Sequence, residues 1–319
     1  MKPKRCRGRG GWRLVPSLSS LLAFFLTAGL CLGVSPGASA SLTIHRHFEL
    51  NNPAPDIAGG GDLEDIINAA ADSWERAFVD VSDPWELDLT FAWADLGTDL
   101  GVCHLESEGG SPNRIQSARV EFNNSGFYDF FADPTPLDNS EYTTFTNVTA
   151  DLGGGTINLG RIYSGATGDA ADRYDLLQLA AHEIGHAVGL HNDSANWNVQ
   201  IPNSQTLEIT APRPHAGTTI FMFAGHIDQS HYVGPLMVNF ANPGERRLIS
   251  GADILAEAQL SSFNHPNLNP DAVGAPEPGT AALLIVPLTA WVAWVVGMAW
   301  KAWTAARARA VPLGARSAT

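Results

Sequence analysis

The chain has 319 residues, enough for one large core or two closely packed lobes, with 33 acidic residues against 19 lysines and arginines. All 33 acids fall between Glu49 and Glu277, where nine arginines offset them, so residues 41–278 carry a net charge near −24 (9 − 33). Such a surface repels nucleic acid and anionic membranes, and with Cys103 as the one cysteine in that stretch no intrachain disulfide can form there.

In chain order, residues 1–40 read as an export signal. Lys2, Lys4, Arg5, Arg7, Arg9 and Arg13 form its basic start, Leu18 to Val34 its apolar core, and Ala38-Ser39-Ala40 its cleavage pattern, which places the mature start at Ser41. Signal peptidase is the implied processing partner. Leu42, Ile44 and Phe48 alternate with polar neighbours and predict a first strand. A triple glycine at 59–61 precedes a helix from about Leu63 to Val79, with Ile67, Ala70, Ala71, Trp74 and Phe78 on one face. Leu87, Leu89, Phe91 and Trp93 alternate as a half-buried strand; Ala118, Val120 and Phe122 predict another, Ile157 with Leu159 a fourth. Asp172 and Asp175 have N-cap and N3 spacing for a helix beginning near Arg173, with a buried stripe of Leu177, Ala181, Ile184 and Val188. Residues 190–235 show no clear periodicity. Ser250 and Asp253 cap a last helix over about 251–262, and 263–278, rich in Asn and Pro, read as a linker. This order of elements predicts an α+β fold, a mixed sheet with helices packed on it.

The chemistry concentrates in His182-Glu183-Ile184-Gly185-His186. Two histidines four residues apart on a helix share one face, where both imidazoles can reach one Zn²⁺. Glu183 sits beside that ion without being a ligand and can act as general base. Gly189 lets the helix stop and the chain turn back towards a third ligand.

This helix with Gly189, Pro235-Leu236-Met237, and the run Gly244-Glu245-Arg246-Arg247-Leu248-Ile249-Ser250 resemble the metzincin clan of zinc peptidases, the matrixin-like branch in particular. The resemblance covers about residues 41–262. It implies a mixed twisted sheet with two helices in an N-terminal lobe, and a small C-terminal lobe with a Met-turn at Met237 and the final helix. It further implies a zinc endopeptidase acting on protein or peptide substrates, with His182 and His186 as ligands and Glu183 as general base. An edge strand pairs with substrate backbone in such sites, and Arg114 to Asn123 is the candidate; Tyr232 is a candidate oxyanion support or a packed aromatic.

The clan's usual third ligand position is Asn192 here, with His191 one residue early and Asp193 one late, each aimed elsewhere in a tight turn. Leishmanolysin-like metzincins place an insertion between the glycine and a third histidine shortly before the Met-turn. His226 precedes Met237 by eleven residues, the spacing of that group; His231 precedes it by six. His226 is therefore the first candidate, with His231 and His191 as alternatives and acidic ligands such as Glu208 behind them. Two other readings stay open: a non-catalytic extracellular matrix or surface binding protein on a metzincin scaffold, and a zinc hydrolase acting on a non-peptide bond. The acidic surface can also supply Ca²⁺ sites, although no loop has EF-hand spacing. His45, His47, His104 and His265 read as surface or packing residues, and Cys103 as a buried small residue rather than a latency switch.

At the other end, Ala281 to Trp300 is an uncharged run long enough to span a bilayer, followed by Lys301, Arg307, Arg309 and Arg316. With Pro276-Glu277-Pro278 before it, the segment 279–319 resembles the PEP-CTERM sorting signal of Gram-negative bacteria. That resemblance implies transient anchoring in the inner membrane, an exosortase as partner, and release to the cell surface or matrix. The other outcome is a permanent single-span anchor.

Overall fold

The computed structural model describes residues 41–80, 82–202 and 205–270. The export signal, the span at 281–300 and the sorting motif lie outside them. Among the described residues no helix is long and apolar enough to cross a membrane.

The first strand, β1 (Leu42–Glu49), is followed by the short β2 (Ile57–Ala58) and by α1 (Leu63–Ala77). Asp62 caps α1 by accepting the Glu64 amide, and its apolar face buries Ile67, Ala70, Ala71 and Trp74. Three long strands come next: β3 (Trp85–Ala94), β4 (Gly101–Gly109) and β5 (Arg114–Asn123). In β3, Leu87, Leu89 and Phe91 are fully buried while Glu86 and Asp88 face solvent, as period-two alternation requires. The main sheet has the order β1-β3-β5-β4, with β1, β3 and β5 parallel and β4 antiparallel at one edge. Arg114–Asn123 is thus an interior strand, and the edge expected there belongs instead to β4. The sequence of β4 hid it: glycines at both ends and mostly half-exposed residues leave no alternation to read.

After β6 (Phe130–Phe131), β7 (Tyr142–Asp151) and β8 (Thr156–Ala166) form a hairpin, its turn held by Asp151 Oδ1 accepting the Gly153 and Gly155 amides. β9 (Tyr174–Asp175) leads into the motif helix α2 (Leu176–Val188). This helix starts three residues later than expected. Asp172 sits at a left-handed φ of 57°, and Asp175 is the N-cap, its Oδ1 accepting the Gln178 amide at 2.7 Å. The other carboxylate oxygen of Asp175 takes Arg246 Nη2 at 2.7 Å and the Tyr142 hydroxyl at 2.8 Å, while Arg246 also reaches Asp133 at 2.6 Å. Arg246 and both acids are buried, so this ion cluster fixes where α2 begins. The indole of Trp74 then donates to Ala181 O at 2.8 Å and ties α1 to the middle of α2.

The stretch without periodicity holds α3 (Ala195–Gln200), β10 (Thr206–Glu208), β11 (Thr219–Phe223) and β12 (His226–Ile227). β13 (Arg246–Leu248) pairs with β8 and delivers the chain to α4 (Gly251–Leu260), where Ser250 and Asp253 form the expected capping box. Beyond α4 the chain stays packed. Phe263 is fully buried, edge-on to Phe78 at 4.9 Å, and Asn267 donates its amide to Ala77 O at 2.7 Å. The segment from Phe263 to Pro270 therefore lies on the helices instead of running free.

Candidate metal centre

The buried side of α2 carries Leu177, Ala181, Ile184 and Val188, which turns His182 and His186 to the other side. Their rings stand 4.8 Å apart. The ring of His226 comes in from β12, 5.2 Å from His182 and 4.7 Å from His186. One nitrogen from each of the three rings falls within 4.8 Å of the others, a group able to hold a metal ion. A tetrahedral zinc with bonds of about 2.0–2.1 Å spaces its ligand atoms about 3.4 Å apart, a difference that small side-chain rotations close.

The hydrogen bonds behind the rings test that fit. His182 Nδ1 meets Leu236 O at 2.9 Å, His186 Nδ1 meets Leu190 O at 2.6 Å, and His226 Nδ1 meets Ala224 O at 2.9 Å. A carbonyl oxygen only accepts, so each Nδ1 carries the proton and each Nε2 is left with its lone pair. Burial, then the neighbouring His226, lowers His182 to about 3. Burial, then His182 and His226, holds His186 well below its ordinary value, and burial also lowers His226. Three neutral imidazoles with fixed tautomers are the donor set that zinc prefers.

The other candidates are not brought in. His191 is buried with its Nε2 donating to Cys103 O at 3.1 Å and its Nδ1 accepting the Asp193 amide at 3.2 Å, so neither nitrogen is free. His231 stacks on Phe221 at 3.9 Å and pairs with Asp228 at 2.9 Å. Glu208 is exposed on β10, and Tyr232 packs beside Phe221 and His231, outside the cleft lining. Asn192 lines the cleft next to the neck where Gly225 returns.

Glu183 is 4 % exposed, and its carboxyl group lies against Gly101 of β4. A Cβ at Gly101 would stand 2.8 Å from Glu183 Oε1, so a side chain there would push the carboxylate aside. Burial, then the charge of Asp99, raises Glu183 to about 8. A divalent cation held by the three imidazoles pulls such a group the other way. Met237 is fully buried beneath the helix: a Cβ on Gly185, between the two histidines, would collide with its thioether. Met237 also fixes His226, because Ile227 donates its amide to Met237 O at 2.8 Å.

His182, Glu183, His186 and His226 line a cleft of about 610 Å³ between the start of β4 and the segment 238–241. Tyr128, Tyr174 and Phe240 give it an aromatic wall, and its lining holds Asp99 and Glu183 but no lysine or arginine. Cys103 lies in the same lining, its thiol pushed well above the ordinary range by burial and then by Glu183. The edge strand β4 and the glycine that admits Glu183 were not legible in the sequence, since both depend on which strand closes the sheet.

Residues 152–248 match the family model described as Metallo-peptidase family M12B Reprolysin-like. The matched stretch runs from the β7–β8 turn through α2 and Met237 to the end of β13. It supports a zinc-dependent peptidase of the metzincin type and does not reach down to the matrixin-like branch. No curated protein and no solved structure matches the chain.

Proposed function

We propose that the chain is an exported zinc endopeptidase in which His182, His186 and His226 hold the ion and Glu183 is the general base. The observation that carries this reading is the convergence of three neutral imidazoles, each tied through Nδ1 to a backbone carbonyl, beside a buried glutamate. Zinc bound there supplies a Lewis acid that polarises the scissile carbonyl and acidifies water. Glu183 takes the proton of the attacking water and passes it to the leaving amine. β4 is the last strand of its sheet, and its start at Gly101 and Val102, ahead of the Cys103 carbonyl that His191 takes, lines the cleft where β-strand addition would align an extended peptide. The aromatic wall excludes water from one side of that peptide.

Export rests on the signal at 1–40, and sorting to the cell surface or matrix on the segment 279–319, with signal peptidase and an exosortase as processing partners. The matrixin-like branch rests on the Gly244–Ser250 run. The binding-protein alternative rests on Asn192 at the usual third-ligand place; the approach of His226 to His182 and His186 favours the peptidase reading over it.

The test is metal content and proteolysis of Glu183→Ala. The parent is expected to hold one zinc per chain and cleave unfolded protein substrates, and the variant to keep the zinc and lose cleavage. A variant that cleaves as fast as the parent would refute the mechanism.

A further inference from the structure

Asp99 lines the cleft two residues ahead of Gly101, and it is exposed. Its backbone is held firmly. The side-chain amide of Asn123, a residue only 1 % exposed, donates to Gly97 O at 3.0 Å and to Asp99 O at 2.5 Å. The backbone amide of Asn123 donates to Leu100 O at 3.0 Å, so the chain is pinned on both sides of Asp99. The Asp99 side chain is not engaged: among the described residues no donor bonds its carboxylate and no lysine or arginine pairs with it. Both oxygens therefore keep their acceptor capacity on a backbone that is already ordered.

Two aromatic rings share this part of the cleft. Tyr128 and Tyr174 both line it, edge-on to each other at 5.2 Å. The Tyr128 hydroxyl donates to Thr98 O, which ties that ring to the residue next to Asp99. Tyr174 donates its amide to Asp129 O at 3.0 Å and directly precedes Asp175, the N-cap of α2, so its ring is placed relative to the helix that carries His182 and His186. Burial, then Tyr174, then the charge of Asp99 raise the Tyr128 hydroxyl above its ordinary range, so carboxylate and ring are close enough to feel each other. Ring faces attract cations, as a carboxylate does, and both disfavour anions. The cleft lining offers no lysine or arginine to answer them, and the net charge near −24 over residues 41–278 draws cationic chains towards the protein.

We propose that Asp99, with Tyr128 and Tyr174, forms a subsite for a lysine or arginine side chain of the substrate, so that the enzyme cuts basic segments and rejects acidic ones. This rests on the peptidase reading given above. A peptide laid along the start of β4 passes Asp99 on its way to the metal ligands. A basic side chain of that peptide gives its charge to the carboxylate and lays its methylene stem against the tyrosine rings. An acidic side chain at the same place meets like charge.

The test uses the full zinc-loaded chain, parent and Asp99→Asn, on a peptide library prepared by cleavage at acidic residues, so that lysine and arginine lie inside the peptides. Mass spectrometry of the products reads the residues around each cut, and the parent is expected to cut beside lysine or arginine. One cut peptide is then made with that basic residue as lysine or as norleucine, which keeps the methylenes and drops the charge. In the parent, an exposed ion pair with a ring contact is expected to set kcat/KM for the lysine peptide roughly three- to thirtyfold above that for the norleucine peptide. In Asp99→Asn the ratio is expected to fall towards one, and in Asp99→Lys below one. A change at Glu183 or in zinc content acts on both peptides alike and cancels in the ratio. The Asp99 side chain makes no bond that the fold depends on, and far-UV circular dichroism checks that the variants fold. Equal kcat/KM for the two peptides in the parent, or a ratio that Asp99→Asn leaves unchanged, overturns this inference and leaves the peptidase reading standing. A zinc-loaded parent that cleaves no peptide overturns the peptidase reading and this inference with it.

Discussion

Phe263→Ala asks whether the chain after α4 is linker or core. The ring is fully buried, meets Phe78 edge-on at 4.9 Å, and has the Arg114 guanidinium 5.7 Å from its centroid. Arg114 is itself pinned, with two bonds to Asp83 and one from Nε to Ser261 O at 2.7 Å, so the surroundings cannot easily collapse into the space. Truncating a buried phenylalanine to alanine costs about 3–5 kcal/mol, and a rigid surround favours the upper half of that range. For a domain of this size each kcal/mol lowers Tm by about 2–4 °C, so a fall of roughly 8–20 °C is expected. Thermal melts and urea titrations of parent and variant measure it. A loss under about 1 kcal/mol, typical of an exposed position, would refute the packing of this segment.

His226→Ala should abolish zinc binding, whereas His231→Ala and His191→Ala should each keep one zinc per chain; metal analysis after dialysis decides, and equal loss in all three would sink the assignment. Gly101→Ala pushes a methyl group into the Glu183 carboxylate, so peptide cleavage should fall by roughly a hundredfold while zinc content stays unchanged. Burial, then Asp253, holds Glu257 well above its ordinary value of 4.5, so above that pH the unfolded chain releases a proton that the folded one keeps. That stability is fully present below pH 4.5 and is lost as the pH rises towards the folded value. The urea midpoint of the metal-free protein should therefore fall as pH rises from 4.5 to neutrality, and Glu257→Gln should flatten the decline; parallel curves would contradict the burial argument.

What the sequence revealed follows from the range of the forces involved. The alternation of Leu87, Leu89 and Phe91 and the capping box of α4 are local, and both are found where they were expected. The start of α2 is not local. By spacing Asp172 read as the N-cap and Asp175 as N3, yet the N-cap is Asp175, which Arg246, distant in sequence, binds. β4 escaped notice because an edge strand beside a cleft is wetted on more than one side, which erases the pattern that betrays a strand. The same reason hid Gly101. His182, Glu183 and His186 are legible because a single helical turn sets their geometry, whereas His226 could be found only by counting back from Met237.

His226 comes beside His182 and His186 although it lies far along the chain, because the insertion is pinned at its neck. A Cβ at Gly225 would lie 3.4 Å from the Asn192 amide, so the chain that leaves after Asn192 returns beside it, and residues 193–224 form a closed excursion. Ile227 pairs with Val238, and its amide binds Met237 O, so the register of β12 against the Met237 segment is fixed independently of the excursion's length. Closing a longer loop costs little, about 0.6 kcal/mol for each doubling. The third histidine can therefore move far along the sequence while its ring stays in place. Its position is set by the pairing with Met237, and the distance from Gly189 carries almost no energetic weight.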